Sequence, residues 1–206
     1  MPLSPAQPRQ LLHTRTYDFM AFGRDDGLWD VEGRIVDVKP YSFENRDREG
    51  GWVAAGEPIH GMAIRMTLDD SLTIVAIEAV TDYSPHQVCP AITPNFQRMV
   101  GVTVGPGWRN NVAKRLGGVA GCTHLVELLY AMATPAFQGV LPAIGRRRKE
   151  GREGPPPAEG RPVASWPPLL DSCHAYRHDG PIAQRKWPEA AAVAARRAAE
   201  REPQEG

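Results

Sequence analysis

The feature that most constrains the fold is a short segment in which every second residue is large and apolar. Met62, Ile64, Met66 and Leu68 fall on one face at period two, and His60 begins that face. This spacing is that of a β-strand with one buried side, because successive side chains of a strand point to opposite faces. The segment therefore predicts a sheet strand whose apolar face is covered by another layer of the domain.

Three other segments have strand character and are joined by short polar turns. Residues 11–22 and 28–38 flank Gly23-Arg24-Asp25-Asp26-Gly27, where Asp-Gly favours a positive φ, so they predict a β-hairpin. The alternation in residues 28–38 slips at Ile35-Val36, which predicts a bulge or a strand buried on both faces. Residues 72–80 are apolar almost throughout, which predicts a central strand. The expected arrangement is an antiparallel β-meander of about four strands.

After these strands the sequence changes to helical spacing. Thr93-Pro94 provides a cap and a proline at the first position, which predicts a short helix near residues 94–100. Residues 108–116 predict another helix, stopped by Gly117-Gly118. The main helix is expected from Cys122 to about Phe137, with an apolar stripe formed by Leu125, Val126, Leu129, Ala133 and Phe137. Strands followed by helices predict an α+β domain with the helices packed on one face of the sheet.

Charge balance and the lack of long apolar runs argue against some classes of protein. The 206 residues include 24 Lys+Arg and 24 Asp+Glu, so the formal net charge is zero, which argues against a dedicated nucleic-acid-binding protein. No run of about 18 apolar residues and no signal-peptide pattern are present, so no membrane span is expected. Three cysteines, an odd number, fit a reducing compartment, and the expected location is the cytoplasm.

The chain is expected to divide into five parts. Residues 1–10 predict a flexible arm, and residues 11–143 predict the α+β core. Residues 144–165 combine a basic run, Gly145-Arg146-Arg147-Arg148-Lys149-Glu150, with three consecutive prolines, which predicts a solvated linker that could also touch an acidic partner. Residues 166–188 regain apolar content and are expected to dock back on the core. The alanine-rich residues 189–206 predict a surface helix or a disordered tail.

Four short motifs resemble a known protein family. They are Arg24-Asp25-Asp26-Gly27-Leu28-Trp29-Asp30-Val31-Glu32-Gly33, Ile59-His60-Gly61-Met62, Gly121-Cys122-Thr123-His124-Leu125, and Leu170-Asp171-Ser172-Cys173-His174-Ala175 with Asp179-Gly180. Together they are similar to the bacterial family catalogued as domain of unknown function 2889, over roughly residues 11–188 without the linker. The resemblance implies a shared fold and a shared site, and it implies no particular activity.

Two of the three cysteines have a histidine within two positions, which makes metal binding one hypothesis. No Cys-x-x-Cys pair is present, so a zinc finger is not expected, and a site for a single zinc or iron ion would be assembled from distant segments. Cys122 and His124 can share an ion only if Cys122 precedes the helix, because helical residues two apart point about 200° apart. The alternative is that the cysteines are small buried residues. The candidate ligands are Cys89, Cys122, His124, Cys173 and His174.

The same residues, together with His60, are candidates for catalysis. Cys122 is expected at a helix N-terminus, which stabilises a thiolate, and His124 or His174 could act as its base. The alternative is that Gly121 and Cys122 merely permit close packing on the sheet. His60 is expected to be a general base or, alternatively, a hydrogen-bonded core residue.

The first hairpin is crowded with acidic residues, which are either catalytic or simply solvated. Asp30, beside Trp29, is the best candidate for a pocket carboxylate, and Asp26 is a second. His13 and Arg15 share one face of the preceding strand and are expected to lie across from Asp30. The alternative is that these acidic residues form a solvent-exposed strand face and turn. They are Asp25, Asp26, Asp30, Glu32 and Asp37.

The preferred expectation for function is an enzyme that acts on a small-molecule substrate. It would be of the lyase or hydrolase type and use acid/base or metal-assisted chemistry, without an organic cofactor, in a pocket between the sheet and the main helix. No glycine-rich nucleotide-binding motif with the required strand–loop–helix setting is present. One alternative is a metal or iron–sulfur carrier loosely similar to NifU-type scaffolds, and another is a non-catalytic interaction module that uses the arginine-rich linker. The oligomeric state is open, with a homodimer as one option.

Overall fold

The computed structural model describes residues 3–157 and 170–200. Contacts between its residues divide the chain into two compact units, Met1–Val163 and Ala164–Gly206. The described strands all belong to the first unit, and so do His60, Cys122 and His124. The first unit therefore contains the groups on which the functional argument rests.

A four-stranded antiparallel sheet forms the centre of the first unit. Its long strands are β1 (Thr14–Gly23), β2 (Trp29–Val38), β5 (Pro58–Leu68) and β6 (Ile74–Tyr83), and a small hairpin of β3 (Phe43–Glu44) and β4 (Trp52–Val53) precedes β5. The sheet order is β1-β2-β5-β6, so each long strand pairs with the next long strand along the chain. The predicted α+β class and the predicted meander are confirmed.

The turn between β1 and β2 has the predicted geometry. Gly27 has a φ of 83°, a conformation that glycine adopts without the steric penalty of a side chain. Strands β1 and β2 pair in continuous register from Thr14 opposite Val38 to Gly23 opposite Trp29. The irregularity expected at Ile35-Val36 lies two residues later, between Asp37 and Val38, where the pairing of β2 with β5 shifts.

The last long strand, β6, lies at the edge of the sheet, so its predicted central position is wrong. Its apolar character has a local cause, because the 3-10 helix Cys89–Met99 packs against it. Ile74 and Ile77 are buried, whereas Val75 and Val80 are each 39% exposed. An apolar run can therefore indicate either a strand covered by a helical segment or a strand that lies between two other strands.

The longer helices of the first unit follow the strands, as predicted, but some of their bounds differ. The helix α1, Trp108–Leu116, has the expected ends. The short helix expected at residues 94–100 begins at Cys89 and is a 3-10 helix, with Pro94 inside it. Two more 3-10 turns are Glu49–Gly51 and Gly118–Ala120.

The main helix continues well beyond its predicted end near Phe137. It comprises α2 (Thr123–Ala131), α3 (Ala133–Pro135), a π-helical turn (Ala136–Val140) and α4 (Leu141–Lys149). Pro135 and Pro142 flank the π turn, and each lacks the N–H that a regular helix donates, which favours an irregular turn there. By length and composition alone, the run Thr123–Lys149 could cross a membrane, although 39% of its most apolar window is buried within the molecule.

One face of the sheet packs on α2, and this packing forms the core. Leu125, Leu128 and Leu129 of α2 are fully buried against the alternating apolar residues of β2 and β5. Gly33 permits close approach, because a Cβ there would lie 3.0 Å from Met132 and 3.2 Å from Leu128. The helix layer is thereby held close to the sheet.

The basic run predicted to begin a solvated linker is part of the folded unit. Helix α4 extends to Lys149, and Arg147 in its last turn is only 7% exposed. The Arg147 guanidinium forms a buried ion pair with Asp70, donates to the carbonyl oxygen of Gly27 at 2.7 Å and stacks on Trp29. Residues 144–149 are therefore not a tether, because their buried charge has a fixed partner. Residues 158–165 of the predicted linker lie outside the described residues.

The second unit is described from residue 170 to residue 200. It contains a 3-10 turn, His174–Tyr176, followed by α5 (Pro181–Lys186) and α6 (Pro188–Ala199). Tyr176 and Trp187 contact each other with ring centroids 5.4 Å apart. The surface helix expected from residue 189 corresponds to α6, and the docking of residues 166–188 on the core stays a prediction.

Candidate functional site

A buried carboxylate, Asp37, is the centre of the candidate site. It lies near the end of β2, where Trp29, Val31 and Ile35 precede it on the same buried face, and it is only 1% exposed. The sheet register sets Arg15 of β1 on one side of it and His60 of β5 on the other. An apolar strand face therefore ends in a carboxylate flanked by basic groups from both neighbouring strands.

Arg15 holds Asp37 through two hydrogen bonds. Its Nε donates to Oδ1 at 2.7 Å and its Nη2 donates to Oδ2 at 2.9 Å. The third nitrogen, Nη1, donates to Glu127 of α2 at 2.8 Å, and the hydroxyl of Tyr17 lies 3.3 Å from the same carboxylate oxygen. The guanidinium thus joins the sheet to the helix beside the site.

Asp37 is ionised in this setting. Burial by itself opposes the charged form, but the hydrogen bonds and positive charge of Arg15, together with His60 and His13, outweigh it and lower the pKa of Asp37 below its usual value. An ionised carboxylate only accepts hydrogen bonds. The contact of 2.9 Å between Nδ1 of His60 and Oδ2 of Asp37 therefore has the imidazole as donor.

The start of α2 brings a second imidazole to the same carboxylate. His124 stacks on His60 with ring centroids 3.7 Å apart and 29° between the ring planes, and its Nε2 lies 3.9 Å from Oδ2 of Asp37. Cys122 is the extended residue before the helix, and its Sγ lies 3.9 Å from Nδ1 of His124 and 4.0 Å from Sδ of Met62. The structure thus brings together the sequence candidates His60, Cys122 and His124.

Both stacked imidazoles favour the neutral form. Burial lowers the pKa of His60, and the neighbouring His124 lowers it further, although Asp37 acts in the opposite direction. Burial also lowers the pKa of His124, followed by the charge of Arg15. Neutral imidazoles retain a ring nitrogen with a free electron pair, which can accept a proton or bind a metal ion.

A third imidazole lies on the outer side of the carboxylate. Nε2 of His13 is 3.1 Å from Oδ1 of Asp37, and the His13 side chain is 42% exposed. Arg15 donates to both oxygens of Asp37, whereas His13 contacts Oδ1 and the stacked imidazoles of His60 and His124 lie nearer to Oδ2. The two oxygens of Asp37 therefore have different surroundings.

Within the part of the chain that the structure describes, three residues are arranged so that they could hold a metal ion. Asp37, His60 and His124 each offer one ligand atom, and these atoms all lie within 4.8 Å of one another. This set shares His124 with the ligands expected from the sequence and contains none of the cysteines. Two imidazoles and one carboxylate form a donor set that binds zinc and other divalent transition metals.

The two carboxylates expected in the site lie elsewhere. Asp30 is seven residues from Asp37 on β2, roughly 23 Å along the strand, and its side chain points to the opposite face. There it accepts a hydrogen bond from Thr67 at 2.7 Å. Asp26 is exposed in the turn and pairs with Arg24. The expectation that His13 and Arg15 lie across from Asp30 is also wrong, because Arg15 pairs with Asp37.

The remaining sequence candidates are not part of the ligand group. Cys89 begins the 3-10 helix of the first unit and is partly buried. Cys173 is an exposed residue of the second unit, and Nε2 of His174 lies 3.2 Å from Nη1 of Arg177 in that unit. The site residues that the sequence analysis did not select, Asp37 and Arg15, could have been found from the hairpin register.

Comparison with known proteins identifies the family of the chain. The family model described as Protein of unknown function (DUF2889) matches residues 13–138, a range that includes every residue of the candidate site. Neither the curated proteins nor the solved structures provide a match. Because the matched range covers more than half of the 206 residues, the chain belongs to the DUF2889 family.

Proposed function

We propose that the protein is an enzyme of the lyase or hydrolase type that acts on a small molecule at the site formed by Asp37, His60 and His124. The observation that carries this proposal is the stacking of two neutral imidazoles, from β5 and α2, beside one buried ionised carboxylate. Groups with shifted pKa values gather at catalytic sites more often than elsewhere in proteins.

A purely structural role does not explain this set of groups well. Arg15 alone balances the charge of Asp37 and supplies two hydrogen bonds, so the buried carboxylate is already stabilised. Adding His60 and His124 places two imidazoles where burial disfavours their charged forms. Apolar side chains would fill this space without that penalty, which supports a chemical use for the imidazoles.

The arrangement suits the activation of water or of an acidic C–H group. The His60 and His124 side chains are 15% and 24% exposed, so the site is at the surface and within reach of a ligand. Proton transfer there can be carried by an imidazole whose orientation Asp37 fixes, or by a water molecule bound to a metal ion. Both routes are used by hydrolases and lyases, and neither needs an organic cofactor.

The other two functional hypotheses have weaker support. Iron–sulfur carriers bind their clusters mainly through cysteine thiolates, whereas the ligand group among the described residues contains no cysteine. In an interaction module that uses the basic run, Arg147 could not take part because it is buried in an ion pair with Asp70, although Arg146, Arg148 and Lys149 are exposed. The imidazole site favours an enzyme over both alternatives.

The test compares turnover by the wild-type protein with turnover by His60→Ala, His124→Ala and His86→Ala. His86 is a matched control, because its Nδ1 lies 2.6 Å from Oδ2 of Asp47 and its side chain is 61% exposed. Untagged protein is incubated with small esters, amides, lactones and hydroxy acids, and products are detected by NMR. We expect at least about a 100-fold loss of conversion in the two site variants and none in the control.

The same panel gives a second readout by NMR of the histidine side chains. Compounds that are bound or converted are expected to shift the imidazole signals of His60 and His124 and to leave those of His86 unchanged. The proposal is contradicted if conversion survives in the His60→Ala/His124→Ala double variant. It is also contradicted if no compound in the panel is converted or disturbs the two site imidazoles.

A further inference from the structure

We infer that Asp37, His60 and His124 bind one divalent transition-metal ion, through Oδ2 of the carboxylate, Nδ1 of His60 and Nε2 of His124. The inference rests on the proposed function and deepens it, since it selects metal-activated water over a free imidazole as the reacting group. It is carried by the convergence of three donor atoms from three separate elements, β2, β5 and α2, on one point.

The distances are close to those of a metal centre. Nδ1 of His60 lies 2.9 Å and Nε2 of His124 lies 3.9 Å from Oδ2 of Asp37, and the three ligand atoms lie within 4.8 Å of one another. Ligand atoms about 2.0–2.1 Å from a tetrahedral zinc ion are roughly 3.3 Å apart. The observed separations fall on both sides of this value, so the imidazole side chains must shift before all three atoms reach one ion at bonding distance.

The three side chains are of the chemical types that bind metal ions. A ligand must offer a free electron pair, which a carboxylate oxygen and one nitrogen of a neutral imidazole both provide. Nδ1 of His60 carries the N–H that now bonds to Asp37. Moving this hydrogen to Nε2 gives the other neutral tautomer, so Nδ1 becomes a ligand without a net loss of a proton from the ring.

Ring stacking indicates what changes when the ion binds. A metal ion lies close to the plane of each imidazole it binds, whereas the two rings are nearly parallel, with 29° between them. The rings must therefore rotate apart before both can bind the same ion. Loss of the stacking is thus an expected consequence of metal binding.

The residues around the group resemble the supporting shell of known metal sites. Metal-binding carboxylates and imidazoles are held in orientation by further hydrogen bonds, and those partners affect metal affinity. Arg15 holds Asp37, and Glu127 in turn holds Arg15. Sγ of Cys122 lies 3.9 Å from Nδ1 of His124, the nitrogen left over when Nε2 binds the ion.

Three protein ligands leave at least one coordination position for water or substrate. Closed structural zinc sites have four protein ligands, whereas catalytic sites commonly have three. A metal-bound water loses its proton much more easily than free water and becomes a nucleophile or a base near neutral pH. The donor set of two nitrogens and one oxygen suits zinc, cobalt(II), iron(II) or manganese(II).

The test measures binding of Zn²⁺ and Co²⁺ by full-length protein that has no affinity tag and has been stripped with a chelator. Calorimetry is expected to give one ion per chain, and the affinity is expected to fall at least about 100-fold in His60→Ala and in His124→Ala. His86→Ala is expected to stay within about twofold, since an exposed histidine–aspartate pair supplies only two of the three groups. Circular dichroism and thermal unfolding check that each variant is folded.

Cobalt absorption identifies the ligands independently of affinity. The Cys122→Ser variant is expected to keep one ion per chain, and the wild-type spectrum is expected to lack the intense charge-transfer band of a cobalt–thiolate bond. The inference is overturned by three results: no binding by the wild-type protein, equal loss of binding in His86→Ala, or a thiolate band that disappears in Cys122→Ser.

Activity separates this inference from the proposed function. Turnover that depends on His60 but persists unchanged in chelator-stripped protein overturns the metal inference and leaves the enzyme proposal in place. If one ion binds at the site but turnover does not change in His60→Ala and His124→Ala, the metal inference holds and the enzyme proposal is overturned. Turnover that requires the ion and also the two histidines supports the metal inference and the enzyme proposal together.

Discussion

The guanidinium of Arg15 holds the buried carboxylate of Asp37 through two hydrogen bonds, of 2.7 Å and 2.9 Å, although 22 residues separate the two along the chain. The hairpin register makes this contact possible, because Arg15 of β1 lies directly opposite Asp37 of β2. Planar, two-point binding of this kind fixes the orientation of a carboxylate as well as its charge. Arg15 is therefore a positioning residue for the site.

Removing Arg15 is expected to destabilise the protein. Arg15→Ala leaves the buried Asp37 without its main partner and should lower the free energy of unfolding by about 2 kcal/mol. Arg34→Ala is the matched control, because Arg34 forms an exposed pair with Asp82 whose contribution is expected to be below about 0.5 kcal/mol. Urea unfolding of both variants measures the difference, and equal losses would show that Asp37 does not depend on Arg15.

The buried ion pair between Arg147 and Asp70 is expected to be a strong anchor for α4. Arg147→Ala leaves the carboxylate of Asp70 buried without its cation and with the indole N–H of Trp29 still donating to it, which should lower the free energy of unfolding by about 3 kcal/mol. The adjacent Arg148 is exposed, so Arg148→Ala should change the free energy of unfolding by less than about 0.5 kcal/mol. Thermal and urea unfolding test this contrast, and a small effect of Arg147→Ala would restore the interpretation of residues 144–149 as a tether.

Two glycine substitutions test the packing of the helix layer. One is expected to lower the free energy of unfolding and the other to raise it. In Gly33→Ala the new Cβ would press on Met132 and Leu128, and we expect a loss of about 1–2 kcal/mol. Gly145 lies on the exposed side of α4 with open space around it, so Gly145→Ala should raise stability by about 0.5–1 kcal/mol. A neutral or stabilising Gly33→Ala would mean that α2 does not lie as close to β2 as described.

The two aspartates of β2 are expected to differ in their effect on turnover. Asp37→Asn removes a negative charge that accepts hydrogen bonds from Arg15 and His60, and we expect at least about a 100-fold loss of turnover. Asp30→Asn changes a residue on the other face at the far end of the strand, and turnover should stay within about twofold. The same substrate assay measures both, with circular dichroism as the check on folding, and loss of turnover in Asp30→Asn would contradict the placement of the site.

Most of the sheet could be predicted from the sequence because local rules determine it. Period-two spacing from His60 to Leu68 identifies β5, and Asp-Gly at the turn identifies the first hairpin. The edge position of β6 could not be predicted, because its apolar residues are covered by a helical segment rather than by another strand. Composition alone does not distinguish these two kinds of cover.

The candidate site was partly predictable. Residue chemistry selects His60, Cys122 and His124. The glycines before Cys122 predict a helix start there, and in the structure the helix begins one residue later, at Thr123. The structure places Asp37, and not the expected Asp30, beside the histidines. The sequence contains this information, since the alternation that begins at Trp29 reaches Asp37 on the buried face and puts Asp30 on the other.

The stacking of His124 on His60 has no signature in the sequence. The two residues are 64 positions apart, and their contact depends on how α2 packs over β2 and β5. The burial of Arg147 is similar, since its partners, Asp70 and Gly27, lie on distant turns. A run of basic residues resembles a solvated segment until its tertiary partners are known.

The most direct test of the central claim is the anomalous X-ray scattering of a crystal of the full-length protein loaded with Zn²⁺. The account predicts one strong peak about 2.0–2.2 Å from Oδ2 of Asp37, Nδ1 of His60 and Nε2 of His124, with the two imidazole rings rotated out of their stack. A peak bound to Cys89, Cys122 or surface histidines instead, or fully stacked imidazoles with no peak at saturating Zn²⁺, would contradict it.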